Sequence, residues 1–343
     1  MAMRNGTNHI SGMWSSSFRE KWRADRDSKP VIRPHAKATL LGARLCAGLL
    51  TLVMLVMGLP AIAAEREPVH RTAIISAFEP EWQVLQKSLD GRAERIINGT
   101  VFVTGTIAGK PVLLFLSGIS MVNAAMTTQL ALDHFTLDRL VFSGIAGGVD
   151  PALKIGDVVV PDAWSQYLEA VFARETSSGT YKLPPFAETA TPNFGMIFPQ
   201  AVQVARGTMP PAKILWFPVD AGLLAVARKV GAEASLAQCT PSNECLGHKP
   251  RIVIGGNGVS GQAFVDNKAF RDYVASTFKA SVLDMESAAV AHVAYANATP
   301  FIAFRSLSDL AGGGEGENEL GTFFRLASDN SAALVKAFVA ALP

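Results

Sequence analysis

Four short segments of this 343-residue chain place chemically capable side chains at the end of an apolar run. ISAFEPEW carries Glu79 and Glu81 just past one such run, and VLDMESAAVAHV carries Met285 and Glu286 where another opens into a helix. FRSLSDLAGG carries Ser308 and Asp309 after a third, with Arg305 upstream. In FSGIAGGV (142–149) a fourth run ends in small residues around Ile145, whose main chain can approach a ligand closely. Open α/β sheets put their ligand sites at strand ends of this kind, and carboxylates gathered there could serve as general acid and base. Singly, each segment has a plainer explanation. A carboxylate at a helix start is more often a cap, and Gly-Gly after a strand is usually a turn. The dinucleotide pattern G-x-G-x-x-G, the P-loop, H-E-x-x-H and G-x-S-x-G are all missing. His134 and His292 fall on helical stretches and read as surface or packing residues. Arg305 could orient Asp309 or sit in a buried structural ion pair.

These residues need a scaffold, and the hydrophobic pattern supplies one. Strands are expected over 72–78, 101–107, 111–118, 139–144, 156–161, 251–256 and 300–308. Most are too apolar for alternating surface strands and suit a sheet covered on both faces. Helices are expected over 81–89, 122–135, 219–234, 268–278, 287–297 and 322–342, the last with an apolar stripe that faces a core. From about 162 to 212 the chain is rich in Pro, Thr and Ser without clear periodicity. That stretch reads as a surface insertion without its own core, able to act as a lid.

Charge divides the chain in two. Overall, 31 basic residues stand against 29 acidic ones, but the segment up to Ala64 holds nine basic and three acidic, which leaves the remainder acidic by four. The sequence therefore carries no electrostatic signature of nucleic-acid binding. Residues 45–64 are uncharged and apolar, follow a basic stretch, and end in Pro60 and Ala61-Ile62-Ala63. This layout predicts a secretory leader over 1–64, cleaved after Ala63 or Ala64, and a periplasmic or secreted product. Uncleaved, it would be the chain's one membrane anchor. The domain then runs over 65–343. Past the leader, only Cys239 and Cys245 remain, either disulfide-bonded in a small loop or as two free thiols. Their spacing does not suit a metal site.

The four segments in this order, with SGISMVNAAMTTQLALDHF, SGIAGGVDPALKIGDVVV, SGQAFVDN and DMESAAVAHVAY, resemble the purine nucleoside phosphorylase and nucleosidase superfamily. The likeness is strongest to 5′-methylthioadenosine/S-adenosylhomocysteine nucleosidases. GVSGQAFVDNKAFRDYV and the C-terminal region are also similar to secreted plant bark and vegetative storage proteins. The resemblance implies a three-layer α/β/α sandwich with a central mixed sheet, a homodimer, a purine nucleoside as ligand, and neither metal nor organic cofactor. By matching position, Glu81 would activate water and Asp309 would protonate the purine at N7. Glu286 and Met285 would hold the ribose, Phe264 would stack on the base, and the Val265 backbone would bond its edge. Ile145 and Ser308 would complete the substrate contacts. Ile145 stands where these nucleosidases often have Ser or Thr, and Asp284 where Glu is usual. The 162–212 stretch falls where the family shapes the pocket for the 5′-substituent. The strand before the Gly-rich turn lacks the arginine that phosphorylases use for phosphate. Hydrolysis is thus the first expectation, with phosphorolysis or non-catalytic, storage-like binding as the alternatives.

Overall fold

Strand β1 (Glu67–Ser76) shows how the sheet is built: its first half is exposed, whereas Ala73, Ile74 and Ile75 are fully buried. In the computed structural model, which describes residues 66–343 without 189, 190 and 315, the other central strands also carry long buried runs. They are β4 (Lys110–Leu116), β5 (Phe135–Gly148) and β18 (Phe301–Asp309). The expected leader lies outside the described residues. In chain order β1 is followed by β2 (Asp90–Ile97) and β3 (Thr100–Ile107) before β4. Order β2-β3-β4-β1-β5 combines antiparallel pairs at the edge with parallel pairs β4-β1 and β1-β5. β2 was not expected, because DGRAERII is exposed almost throughout. It forms because Asn98-Gly99, both at positive φ, make the two-residue turn that twists a hairpin correctly.

Beyond β5 the sheet forks. Along most of its length β5 pairs with β18 in parallel, and β18 continues to β6 (Val158–Val160) and β15 (Ile252–Ile254). Its other flank pairs with β1 only as far as Phe142, and from Gly147 with antiparallel β17 (Ala280–Asp284). From β17 the branch runs to β16 (Asn257–Ser260), β7 (Ala163–Gln166) and β14 (Phe217–Pro218). The fold is a three-layer α/β/α sandwich with a central mixed sheet. Helices α1 (Glu79–Gln86), α3 (Ala221–Glu233) and α6 (Leu320–Ala341) pack together on one side, α6 lying over β5 and β18. On the other, α2 (Met121–His134) packs with α5 (Ser287–Ala296). α4 (Lys268–Phe278) packs on β17.

The expected insertion differs at both ends. Residues 163–166 are β7, with Trp164 and Ser165 fully buried, and the chain leaves the sheet only after Tyr167, returning at β14. The excursion consists of two-stranded ribbons: β8 (Ala170–Phe172) with β11 (Ile197–Pro199), β9 (Arg174–Ser177) with β10 (Thr180–Lys182), and β12 (Val202–Arg206) with β13 (Met209–Ile214). No periodicity announced them because ribbons such as β9 are exposed on both faces. The first expected helix starts earlier and ends earlier than 81–89. Cys239 and Cys245 are disulfide-bonded.

Candidate active site

The carboxyl ends of β1, β5, β17 and β18 converge on a cavity of about 170 Å³. Glu81, Ile145, Phe264, Val265, Met285, Glu286, Ser308 and Asp309 all line it. So do Phe78, Ile119, Asp284, Arg305 and Leu320. The three candidate carboxylates are buried, at 2%, 5% and 3% exposure for Glu81, Glu286 and Asp309. Phe264 is 55% exposed at the rim, whereas Val265 is buried. His134 and His292 do not line the cavity; His292 stacks on Phe217 and bonds Gln166.

Glu81 is both cap and cavity residue. As the third residue of α1, it accepts the N–H groups of Ala77 and Phe78 on Oε2, at 3.1 Å each, completing half of a capping box. Its Oε1 accepts the Ile145 N–H at 2.8 Å. Burial raises its pKa, against the opposing pull of Arg305 and these three N–H donors. Ile145 belongs to the stretch of β5 that neither β1 nor β17 covers, so its main chain is free to serve the site: its carbonyl accepts from Arg305 Nη1 at 3.2 Å. Gly144 beside it must be glycine, because a Cβ would lie 2.2 Å from Arg305 Nη1 and 2.9 Å from Glu81 Oε1.

Arg305 does not orient Asp309. Its guanidinium, fully buried and 4.0 Å above the Phe142 ring centroid, lies 2.6 Å from Asp284 Oδ2 and 3.3 Å from Glu286 Oε2, and Nε donates to Ser287 Oγ at 2.9 Å. The ion-pair alternative is thus the one found, and the reason is register: Arg305 sits opposite Gly144, four residues back along β18 from Asp309. Asp284 accepts the N–H groups of Glu286 and Ser287 and the Ser260 hydroxyl, so it caps α5 and aims Glu286. Glu286 Oε1 accepts the Ser120 N–H at 2.8 Å. Burial pushes its pKa up to about 7, with Arg305 opposing and Asp284 and Glu81 adding to the rise. Asp309 accepts from Ser308 Oγ at 2.9 Å and the Ala311 N–H at 2.8 Å, and burial raises its pKa despite these donors.

With four carboxylates and one guanidinium around a largely apolar space, the site can hold a neutral ligand bearing hydroxyls and deliver a proton at one end. Among the described residues, no cluster of three or more His, Cys, Asp or Glu is arranged for a metal ion. Residues 71–340 match the phosphorylase superfamily. The chain belongs to that superfamily. Members similar to it include a 5′-methylthioadenosine/S-adenosylhomocysteine nucleosidase of Lysinibacillus sphaericus, 31% identical over 79% of this chain and 100% of the relative. Bark storage protein A of Populus deltoides is 27% identical over 63% of this chain and 70% of that protein. Among solved superfamily structures, the nucleosidase of Colwellia psychrerythraea in complex with adenine superposes with a TM-score of 0.59 at 25% identity, covering 81% of this chain and 98% of that one. The cavity residues that sequence reasoning left unassigned are mainly its apolar walls. Leu320 opens α6 two residues before the expected start, and Phe78 and Ile119 sit in turns where no periodicity marks a facing.

Proposed function

We propose that this superfamily member is a purine nucleosidase, hydrolysing the N-glycosidic bond of a nucleoside of the methylthioadenosine or S-adenosylhomocysteine type. The observation that carries the reading is the convergence of Glu81, Glu286 and Asp309, all buried, on one cavity, in a chain similar over most of its length to nucleosidases. Departure of the base leaves positive charge on the sugar and negative charge on the purine. A water oxygen bonds the anomeric carbon and gives its proton to ionised Glu81. The electron pair of the broken C–N bond moves into the base, and N7 takes the proton of Asp309. Burial, which raises the Asp309 pKa, favours that donation, and the carboxylates stabilise the cationic sugar. Glu286 accepts the ribose hydroxyls beside Met285, and Phe264 and Val265 take the base.

Phosphorolysis is disfavoured by charge. Arg305 is the one Arg or Lys among the described cavity residues, and Asp284 and Glu286 already pair with it, so a phosphate dianion would meet a net negative wall. Release of adenine from methylthioadenosine, S-adenosylhomocysteine or adenosine, or of hypoxanthine from inosine, without phosphate is the expected result. Release only with phosphate would make the protein a phosphorylase, and none from any substrate would leave a binding or storage protein.

The same reading includes a homodimer and export. Ile119, Val122 and Met126 form an exposed apolar row at helical spacing, 49%, 55% and 66% exposed, and Ile119 also lines the cavity. A second copy seated there would cover the row. The Cys239–Cys245 disulfide suits an oxidising compartment, and no described helix is long and apolar enough to cross a membrane. N-terminal sequencing of the exported protein is expected to begin at Ala64 or Glu65.

A further inference from the structure

The excursion between β7 and β14 is the chain's largest departure from a plain sandwich, yet none of its described residues lines the cavity, so it is no lid in this structure. Its attachment lies elsewhere. Phe194, half-buried in a tight turn, meets Phe270 of α4 edge-on at 5.1 Å between ring centroids and Tyr273 at 5.2 Å. The Tyr273 hydroxyl donates to the Pro192 carbonyl at 2.8 Å. Phe270 in turn meets Tyr167 edge-on at 5.5 Å. Tyr167 is buried and donates its hydroxyl to the carbonyl of Ala263 at 3.1 Å, the residue before Phe264. The Tyr167 ring also lies so close to Gly261 that a Cβ there would come within 2.4 Å of it. Val265 is buried in the same apolar cluster.

A row of rings therefore runs from the excursion to the loop 261–267, which carries both residues expected to face the base. Aromatic side chains have few rotatable bonds, so contacts through them transmit position at little entropic cost. Binding groups need that fixity, because a displacement of about an ångström can cost on the order of 10²-fold in rate. We propose that the 168–216 excursion is a brace for the base-binding loop, with Phe194 as its positioning residue acting through Phe270 and Tyr167. The proposal rests on the purine reading above. If Phe194 only stabilised the excursion, its loss would lower the melting temperature without a selective effect on substrate binding.

The test compares Phe194→Ala with Phe194→Tyr, which restores the ring. In Phe194→Ala, KM for the nucleoside that the wild type cleaves is expected to rise about tenfold with kcat within about threefold, the scale of two lost aromatic pairs. Amide hydrogen exchange is expected to accelerate in 261–267 and to stay unchanged in β1. Phe194→Tyr should return both to near wild type. The brace is overturned if either KM or exchange in 261–267 stays at the wild-type value in Phe194→Ala. Should that variant not fold, Tyr273→Phe, which removes only the hydroxyl anchor to Pro192, is expected to shift both quantities in the same direction by about threefold, and no shift overturns the brace. A wild type that releases no base defeats the purine reading instead. The exchange measurement then decides the brace alone, faster exchange in 261–267 supporting it and unchanged exchange overturning it.

Discussion

Burial raises the Asp309 pKa against hydrogen-bond donors, Ala311 and Ser308 among them, that favour its anion. Asp309→Asn removes the proton donor while preserving shape, so base release is expected to fall by about 10²- to 10⁴-fold, with nucleoside binding still measurable by calorimetric titration. Loss of binding in step with turnover would assign Asp309 to affinity instead. Glu286 allows a test that needs no substrate. The folded protein holds its proton between the ordinary value of 4.5 and about 7, whereas the unfolded chain releases it near 4.5. Stability from this group is therefore fully present below that range and is lost as pH rises through about 7. Glu286→Gln escapes the loss, so its melting temperature relative to wild type should be higher at about pH 8 than at about pH 5; an equal difference at both would contradict the assignment. These carboxylates were legible in the sequence because each follows a run of core residues. Their partners were not: that Arg305 would choose Asp284 and Glu286 over Asp309 depends on the register of β18 against β5, which no local pattern encodes.

At the level of elements, the site depends on two stretches of main chain. Gly144 leaves room for Arg305 and Glu81 to approach across β5. Gly144→Ala should displace one of them, lowering stability by about 1–3 kcal/mol and activity along with it, as read by urea unfolding and base release. Ser120 holds φ 82° and ψ 156°, a conformation nearly exclusive to glycine, while its N–H serves Glu286. Ser120→Gly keeps that donor and relieves strain of about 1–3 kcal/mol, offset by about 0.5–1 kcal/mol of glycine entropy. A gain near 1 kcal/mol with activity retained is expected, and a loss of stability would show that the serine side chain contributes something the strain does not. The core strands could be read from composition, since β1, β4, β5 and β18 are apolar on both faces. β2 could have been found only from its Asn-Gly turn, because its own residues face water. The ribbons of 168–216 bury too little to leave a pattern.

For the molecule as a whole, stability and site are largely separate. The Cys239–Cys245 loop lies outside the cavity lining, while neighbouring Leu246 packs with Ile155 and Leu326. Replacing both cysteines by serine is expected to lower unfolding free energy by about 2 kcal/mol and to leave KM unchanged; a raised KM would connect the loop to the site. The forked sheet carries a different kind of separation. Its polar frame is anchored where one flank of β5, between β1 and β17, has no strand neighbour, so Ile145 offers its N–H and carbonyl to Glu81 and Arg305 on that side. The apolar walls, Phe78, Ile119 and Leu320, come from a helix cap, a turn and a helix start. Such a seam lets descendants exchange the walls, and with them the substituents accommodated, while the bond-breaking groups keep their geometry: ligand choice can drift while the reaction stays fixed.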